Sequence, residues 1–159
     1  MTIRILCAGR IKEKYYTDAV AEYMKRLQRY VRVEIVEVED EKTPDRASKA
    51  EQDIIKAREG SRLMKKIRDR EYVAALAIDG DAMDSVSFSS FINEAALRGV
   101  PAIDFVIGGS LGLSDEVLLR ADRKISFSAM TFPHQLMRVI LLEQVYRAEK
   151  IIAGEPYHK

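Results

Sequence analysis

The chain has two histidines, His134 and His158, and one cysteine, Cys7, so proton-transfer and thiol chemistry have few carriers. His158 stands in the ending Gly154-Glu-Pro-Tyr157-His158-Lys159, where a Gly and a Pro shape a short tail. Imidazole is the side chain best suited to moving protons near neutral pH. The plainer alternative is a chain end with no role. His134 and Arg138 lie one helical turn apart, which suits a cap or ion-pair site as well as a catalytic pair. Gly108-Gly109-Ser110-Leu111-Gly112 directly follows 102–107, which reads as a buried strand. Ligands of open parallel sheets bind at the C-terminal ends of strands, and glycines let a ligand approach the backbone. A tight turn with no ligand would have the same composition. The stretch is not a P-loop, because no Gly-Lys-Ser/Thr follows, and its glycine spacing does not fit a dinucleotide fingerprint. The segment Phe127-Ser128-Ala129-Met130-Thr131-Phe132 is small and apolar, and suits a flat heteroaromatic ring as well as plain packing. Cys7 lies in an apolar stretch, as a small core residue would.

These groups need elements to hold them. Residues 2–8 and 31–38 alternate apolar with polar or charged residues, the pattern of strands. Run 72–78 is continuously apolar, as in a strand covered on both faces; 102–107, apolar but for Asp104, reads as another buried strand, and 124–128 suits a last short strand. Asp79-Gly80 suggests a turn, and the charged stretch 39–47, with Pro44, a loop. Helical spacing appears over 14–29. A second helix opens at Ser48 with capping-box spacing to Glu51, its stripe being Ala50, Ile54, Ala57, Met64 and Ile67. A third carries Phe88, Phe91, Ile92, Ala95 and Ala96 and is closed by Gly99. Ser114-Asp115-Glu116 caps a short fourth helix, and a long one runs from about Pro133 to Ile152. Strand and helix alternate throughout, which predicts an α/β fold with a mostly parallel sheet flanked by helices, in one domain over 1–159. The last helix has two apolar stripes, Met137-Leu141-Val145-Ala148-Ile152 and Leu136-Val139-Ile140, where a helix lying on its own sheet needs one. A second subunit packed on it would use the surplus; burial between two layers of one chain is the alternative.

Composition narrows the class. The 159 residues are 47% hydrophobic, enough for one sizeable core. No run approaches a membrane span, and the opening residues are too short for a signal-peptide core, so a cytoplasmic protein without membrane association is expected. A single cysteine and two scattered histidines make a structural metal improbable. Net charge is only +1, but residues 1–70 hold 18 Lys/Arg against 13 Asp/Glu and residues 71–159 hold 8 against 12. The basic first half permits a polyanion-binding face; a solubilised helix surface is the plainer reading.

Several separated segments together resemble the ribosomal RNA large subunit methyltransferase H family, of the SPOUT class. They are Phe105-Val-Ile-Gly-Gly-Ser110, Ser126-Phe-Ser-Ala-Met-Thr-Phe-Pro-His134, Arg138-Val, Glu143-Gln-Val-Tyr-Arg147 and Pro156-Tyr-His-Lys159. The opening Ile5-Leu-Cys-Ala-Gly-Arg-Ile-Lys-Glu-Lys-Tyr15 fits as well, so the likeness spans the chain. The resemblance implies a C-terminal trefoil knot, a homodimer and S-adenosylmethionine as methyl donor. It implies methylation at N3 of a pseudouridine in a 23S rRNA stem-loop on the assembled ribosome. Leu76, Gly108 and Phe127, Ser128, Ala129, Met130, Thr131 and Phe132 are then expected to cradle the donor.

Methyl transfer from a sulfonium is an in-line displacement that rests chiefly on positioning, while an N3–H between two carbonyls must lose its proton to attack well. His158 is the candidate proton acceptor or positioner, with Tyr157 stacking or hydrogen bonding, and Arg138 and Arg147 are candidates for a phosphate or the pyrimidine anion. Arg10, Lys12, Lys14, Lys25 and Arg26 are candidates for rRNA phosphates. Rival readings are a SPOUT methyltransferase acting on tRNA or another rRNA position, and a non-catalytic ribosome-binding factor. A nucleotide-dependent oxidoreductase is disfavoured by the glycine spacing.

Overall fold

The computed structural model describes all residues, 1–159. Five strands, β1 (Thr2–Ala8), β2 (Arg32–Val38), β3 (Tyr72–Ala82), β4 (Ala102–Ile107) and β5 (Arg123–Ser126), form one sheet in the order β2-β1-β4-β3-β5. Every pairing is parallel, as alternation of strands with crossover helices requires. The helices are α1 (Lys14–Leu27), α2 (Lys49–Met64), α3 (Ser85–Leu97), α4 (Asp115–Arg120) and α5 (His134–Ile152).

The strand period of two divides the apolar residues between two cores. Ile3, Ile5, Cys7 and Phe105 join Leu27 of α1, Phe88 and Ile92 of α3 and Leu141 and Val145 of α5. Leu6, Ala8, Val73 and Val106 join Leu63 of α2 and Val117 of α4 on the opposite face. The chain leaves β4 inside the sheet, crosses β3 to the edge strand β5, and comes back as α5 over α3 and α1.

Two buried arginines fasten this arrangement at opposite ends of the strands. Arg4 of β1, 2% exposed, donates to both carboxylate oxygens of its cross-strand partner Asp104 at 2.9 Å, to Glu71 before β3 and to the Lys66 carbonyl at 2.9 Å. At the other end Arg138 of α5 donates to Glu37 of β2 at 2.7 Å and to the Gly9 carbonyl after β1 at 2.6 Å. Ser85 and Ser89 of α3 bind Gln144 at 2.7 Å and the Ala148 carbonyl at 3.1 Å. These bonds set where α5 begins and how it lies, and hence the shape of the cleft beneath it.

Three expectations need correction. Asp79-Gly80 is no turn: β3 continues to Ala82, and a register shift against β5 between Leu76 and Asp81 absorbs the irregularity, the behaviour of a β-bulge. β5 ends at Ser126 rather than Ser128, because the chain turns there, with the Ser126 hydroxyl donating to the Ser128 carbonyl at 3.2 Å. α2 starts at its capping box as expected but buries Ile55, Glu59, Gly60 and Leu63, leaving Ile54 52% exposed. Its inward face meets the cap of α4 at Ser114, where only a glycine fits, so the apolar-residue pattern is out of phase with the buried one.

Candidate functional site

A cleft of about 620 Å³ opens at the C-terminal ends of β3, β4 and β5, the edge where α/β sheets bind ligands. Four pieces wall it: the middle of β3 from Leu76 to Ile78, just past its last residue paired with β4, the loop Gly108–Gly112, the segment from Phe127 to Pro133, and the first turn of α5 with His134 and Met137. Each piece follows from a local cause. The glycine loop begins where β4 loses its partners, and a β-carbon at Gly108 would stand 2.5 Å from the backbone of Gly112, so no side chain fits and the backbone is bare. The amides of Ser110 and Leu111 donate to nothing else in the chain, which leaves them free for a ligand. The Phe127 segment is folded by short-range bonds, the Met130 amide reaching the Ser128 hydroxyl at 3.0 Å.

Of the residues expected to cradle a donor, Leu76, Gly108, Phe127, Ser128, Met130, Thr131 and Phe132 line this cleft. Ala129 does not: it is exposed, at the outer bend of the segment. His134, which sequence spacing left undecided between a structural and a catalytic pair, also lines the cleft. Burial first, then the positive charge of Arg138, hold its imidazole below its ordinary pKa. It is therefore neutral at pH 7, with one nitrogen able to accept and one to donate.

Arg138 lies elsewhere than the sequence reading expected. It is fully buried and bound to Glu37 and Gly9, so as placed it meets neither a phosphate nor an acceptor base. Arginine in a signature-like position signals charge, but not whether the charge faces solvent or the core. Arg147 is held by Glu143 and lies 4.6 Å under the Tyr157 ring, with about a quarter of its side chain exposed. The Tyr157 hydroxyl donates to Glu143 at 3.1 Å, and its ring meets Tyr146 edge-on at 4.9 Å. Burial, then the nearby Glu143 charge, push its phenol up to about 12, so it stays protonated.

The tail is no loose end. Glu155 accepts from Tyr30 at 2.7 Å and pairs with Lys150. His158 then lines a second cavity of about 420 Å³ with Asp84, Ser85, Phe88 and Gln144. The two cavities share Ile125, Phe127 and Phe132 as a common wall. Within one chain, then, His158 stands in the room next to the cleft rather than inside it. Such an arrangement separates a site for a flat apolar ligand from a neighbouring polar site with an exposed imidazole.

Comparison with known proteins bears on what this edge does. A family model described as "Predicted SPOUT methyltransferase" matches residues 1–158. The chain is 57% identical, over the full length of both, to a Clostridium kluyveri protein named "Ribosomal RNA large subunit methyltransferase H". Among solved structures, a "Probable Methyltransferase" from Bordetella pertussis shares the fold at TM-score 0.59 and 12% identity, covering 92% of this chain and 95% of that one. A Legionella pneumophila methyltransferase, solved with bound SAM, superposes at TM-score 0.50 and 11% identity, covering 93% and 66%. On the family match and the full-length identity, the chain belongs to the SPOUT methyltransferases and, among them, to the ribosomal RNA large subunit methyltransferase H family.

Proposed function

We propose that the protein transfers a methyl group from S-adenosylmethionine to N3 of a pseudouridine in a 23S rRNA stem-loop of the assembled ribosome, in the cytoplasm. The observation that carries this reading is the pair of adjoining cavities at one sheet edge: an apolar cleft floored by bare glycine backbone, and beside it a pocket holding the exposed His158. The cleft volume falls in the usual range for a small-molecule site. Its apolar walls at Phe127 and Phe132, with the free amides of Ser110 and Leu111, fit an adenosine and an amino-acid portion. When bound, S-adenosylmethionine supplies an electrophilic methyl on a sulfonium, so the protein's work is positioning and proton removal. The name carried by the 57%-identical relative supports large-subunit rRNA as the substrate.

In this mechanism the glycine loop and the Phe127–Phe132 segment orient the donor. His158 takes or steers the N3 proton, Tyr157 packs the tail against Arg147, and Arg147 lies close enough to the surface to meet a phosphate. The whole chain, 1–159, works as one domain and as a homodimer, with the half-buried row Leu136, Val139 and Ile140 of α5 against a second copy. The return of the chain as α5 after β5 is taken to thread a trefoil knot, a rare topology; the crossover past β3 to β5 and back is compatible with it.

The test is transfer of tritiated methyl groups to intact ribosomes, free rRNA and tRNA, with mapping of the modified base. Label at a pseudouridine N3 in ribosomes is expected, and label in tRNA alone would overturn the substrate. His158→Ala should lower turnover by about 100-fold or more while donor affinity, measured by calorimetry, stays within about twofold. Unchanged turnover would remove His158 from the reaction.

A further inference from the structure

The glycine loop rests on a carboxylate that the transfer reaction, as read above, does not use. Glu59, in the C-terminal half of α2, is 3% exposed. A β-carbon added at Gly109 would stand 2.8 Å from its Oε2 and 2.9 Å from its Oε1, so the carboxylate lies directly against the loop. Oε2 accepts the Glu41 amide at 3.0 Å, and Oε1 has no partner in the protein. Burial raises the carboxyl's pKa; the Glu41 amide it accepts draws it back, while the charges of Asp40 and Glu41 raise it further. The one cation that offsets them, Arg62, is committed to the Glu39 carbonyl at 2.9 Å and the Glu41 carboxylate at 2.7 Å.

A buried acidic group in an acidic neighbourhood, with an oxygen unpaired, weakens the fold rather than strengthening it. A neutral side chain of the same size would serve packing better. What Glu59 does is join two segments. The stretch from Glu39 to Thr43 hangs on it through the Glu41 amide, and the same stretch reaches the loop where the Thr43 and Ser110 hydroxyls meet at 3.0 Å. The loop in turn offers the unpaired amides of Ser110 and Leu111. An acceptor without a donor thus lies under a loop that has donors without acceptors.

We propose that Glu59 is a positioning residue for methyl transfer: its carboxylate, from behind the cleft, sets where Gly109 and Ser110 sit and thereby the affinity for the donor. It touches neither donor nor acceptor. The inference rests on the reading that the cleft holds S-adenosylmethionine.

Calorimetric titration with S-adenosylmethionine, together with steady-state kinetics on ribosomes, tests it. Glu59→Gln should raise the donor Kd about tenfold or more, while kcat at saturating donor and the KM for ribosomes stay within about threefold. A purely structural role would not split the two in this way. Gly109→Ala should also weaken donor binding, and should do so much less in a Glu59→Ala background, where the new methyl meets no carboxylate. Should Glu59→Gln fail to fold, Glu59→Asp, which keeps the charge and withdraws it from the loop, takes its place in the titration. If wild-type protein binds the donor and the folded Glu59 variant binds it within twofold, or if Gly109→Ala has the same effect in both backgrounds, the inference is wrong and the donor reading stands. If wild-type protein shows no saturable donor site, the donor reading falls and the inference falls with it.

Discussion

At the scale of single residues, three side chains separate what composition can tell from what only the fold can. Cys7 was legible as a core residue, since it lies among Ile5, Leu6 and Ala8, and the structure buries it completely with its thiol pushed up to about 12 by burial. Thiolate is the reactive form. Native protein at pH 7.5 should therefore resist a maleimide for hours and take up one equivalent only in denaturant, as read by intact mass. Arg138 was not legible, because its partners, Glu37 and Gly9, are 101 and 129 positions away. Removing it leaves Glu37 and a backbone carbonyl without a donor. With Glu37 part-exposed, Arg138→Ala should cost about 2–3 kcal/mol, seen as a melting temperature lower by about 5–10 °C. His134 lies between the two cases. Its turn of helix was visible in the sequence, but its place in the cleft depends on where Arg138 pins α5.

At the scale of elements, local signals gave good predictions and phase gave poor ones. The capping box at Ser48, the glycine loop after β4 and the Phe127–Phe132 segment are short-range features, and each stands where the sequence put it. The inward face of α2 depends on contact with α4, and no window of residues encodes that. The same holds for β3, whose passage through Gly80 is decided by pairing with β5 more than 40 residues later. The glycine loop gives the sharpest element-level prediction. A methyl at position 108 would press on backbone that has nowhere to go, so Gly108→Ala should cost about 1–3 kcal/mol and shift the loop. Donor binding by calorimetry should fall by more than tenfold, the free-energy equivalent of about 1.4 kcal/mol. Normal affinity in a folded Gly108→Ala protein would show that the loop does not wall the donor site.

At the scale of the whole molecule, buried charge stands at both ends of the strands, at Arg138 and Glu59 beside the cleft and at Arg4 and Asp104 away from it. At the end away from the cleft, burial pushes Asp104 up to about 7, only partly countered by Arg4 and reinforced by Glu71. A carboxyl whose folded pKa exceeds its unfolded one holds its proton more tightly in the native state. Its contribution is complete below about pH 4 and is lost as pH rises through about 7. The wild-type protein should thus lose on the order of a few kcal/mol from this site between pH 5 and 8, and Asp104→Asn should flatten that part of the melting-temperature profile. A parallel slope in both proteins would refute it. Cross-sheet pairing of this kind also has a bearing on how the chain is made. β1 finds its inner neighbour, β4, only after about a hundred further residues, and α5, which covers one face, comes last. Closing such distant partners is slow. While the chain is still being synthesised, its first strand waits with one edge bare, and the native sheet closes only once nearly all of the polypeptide has left the exit tunnel.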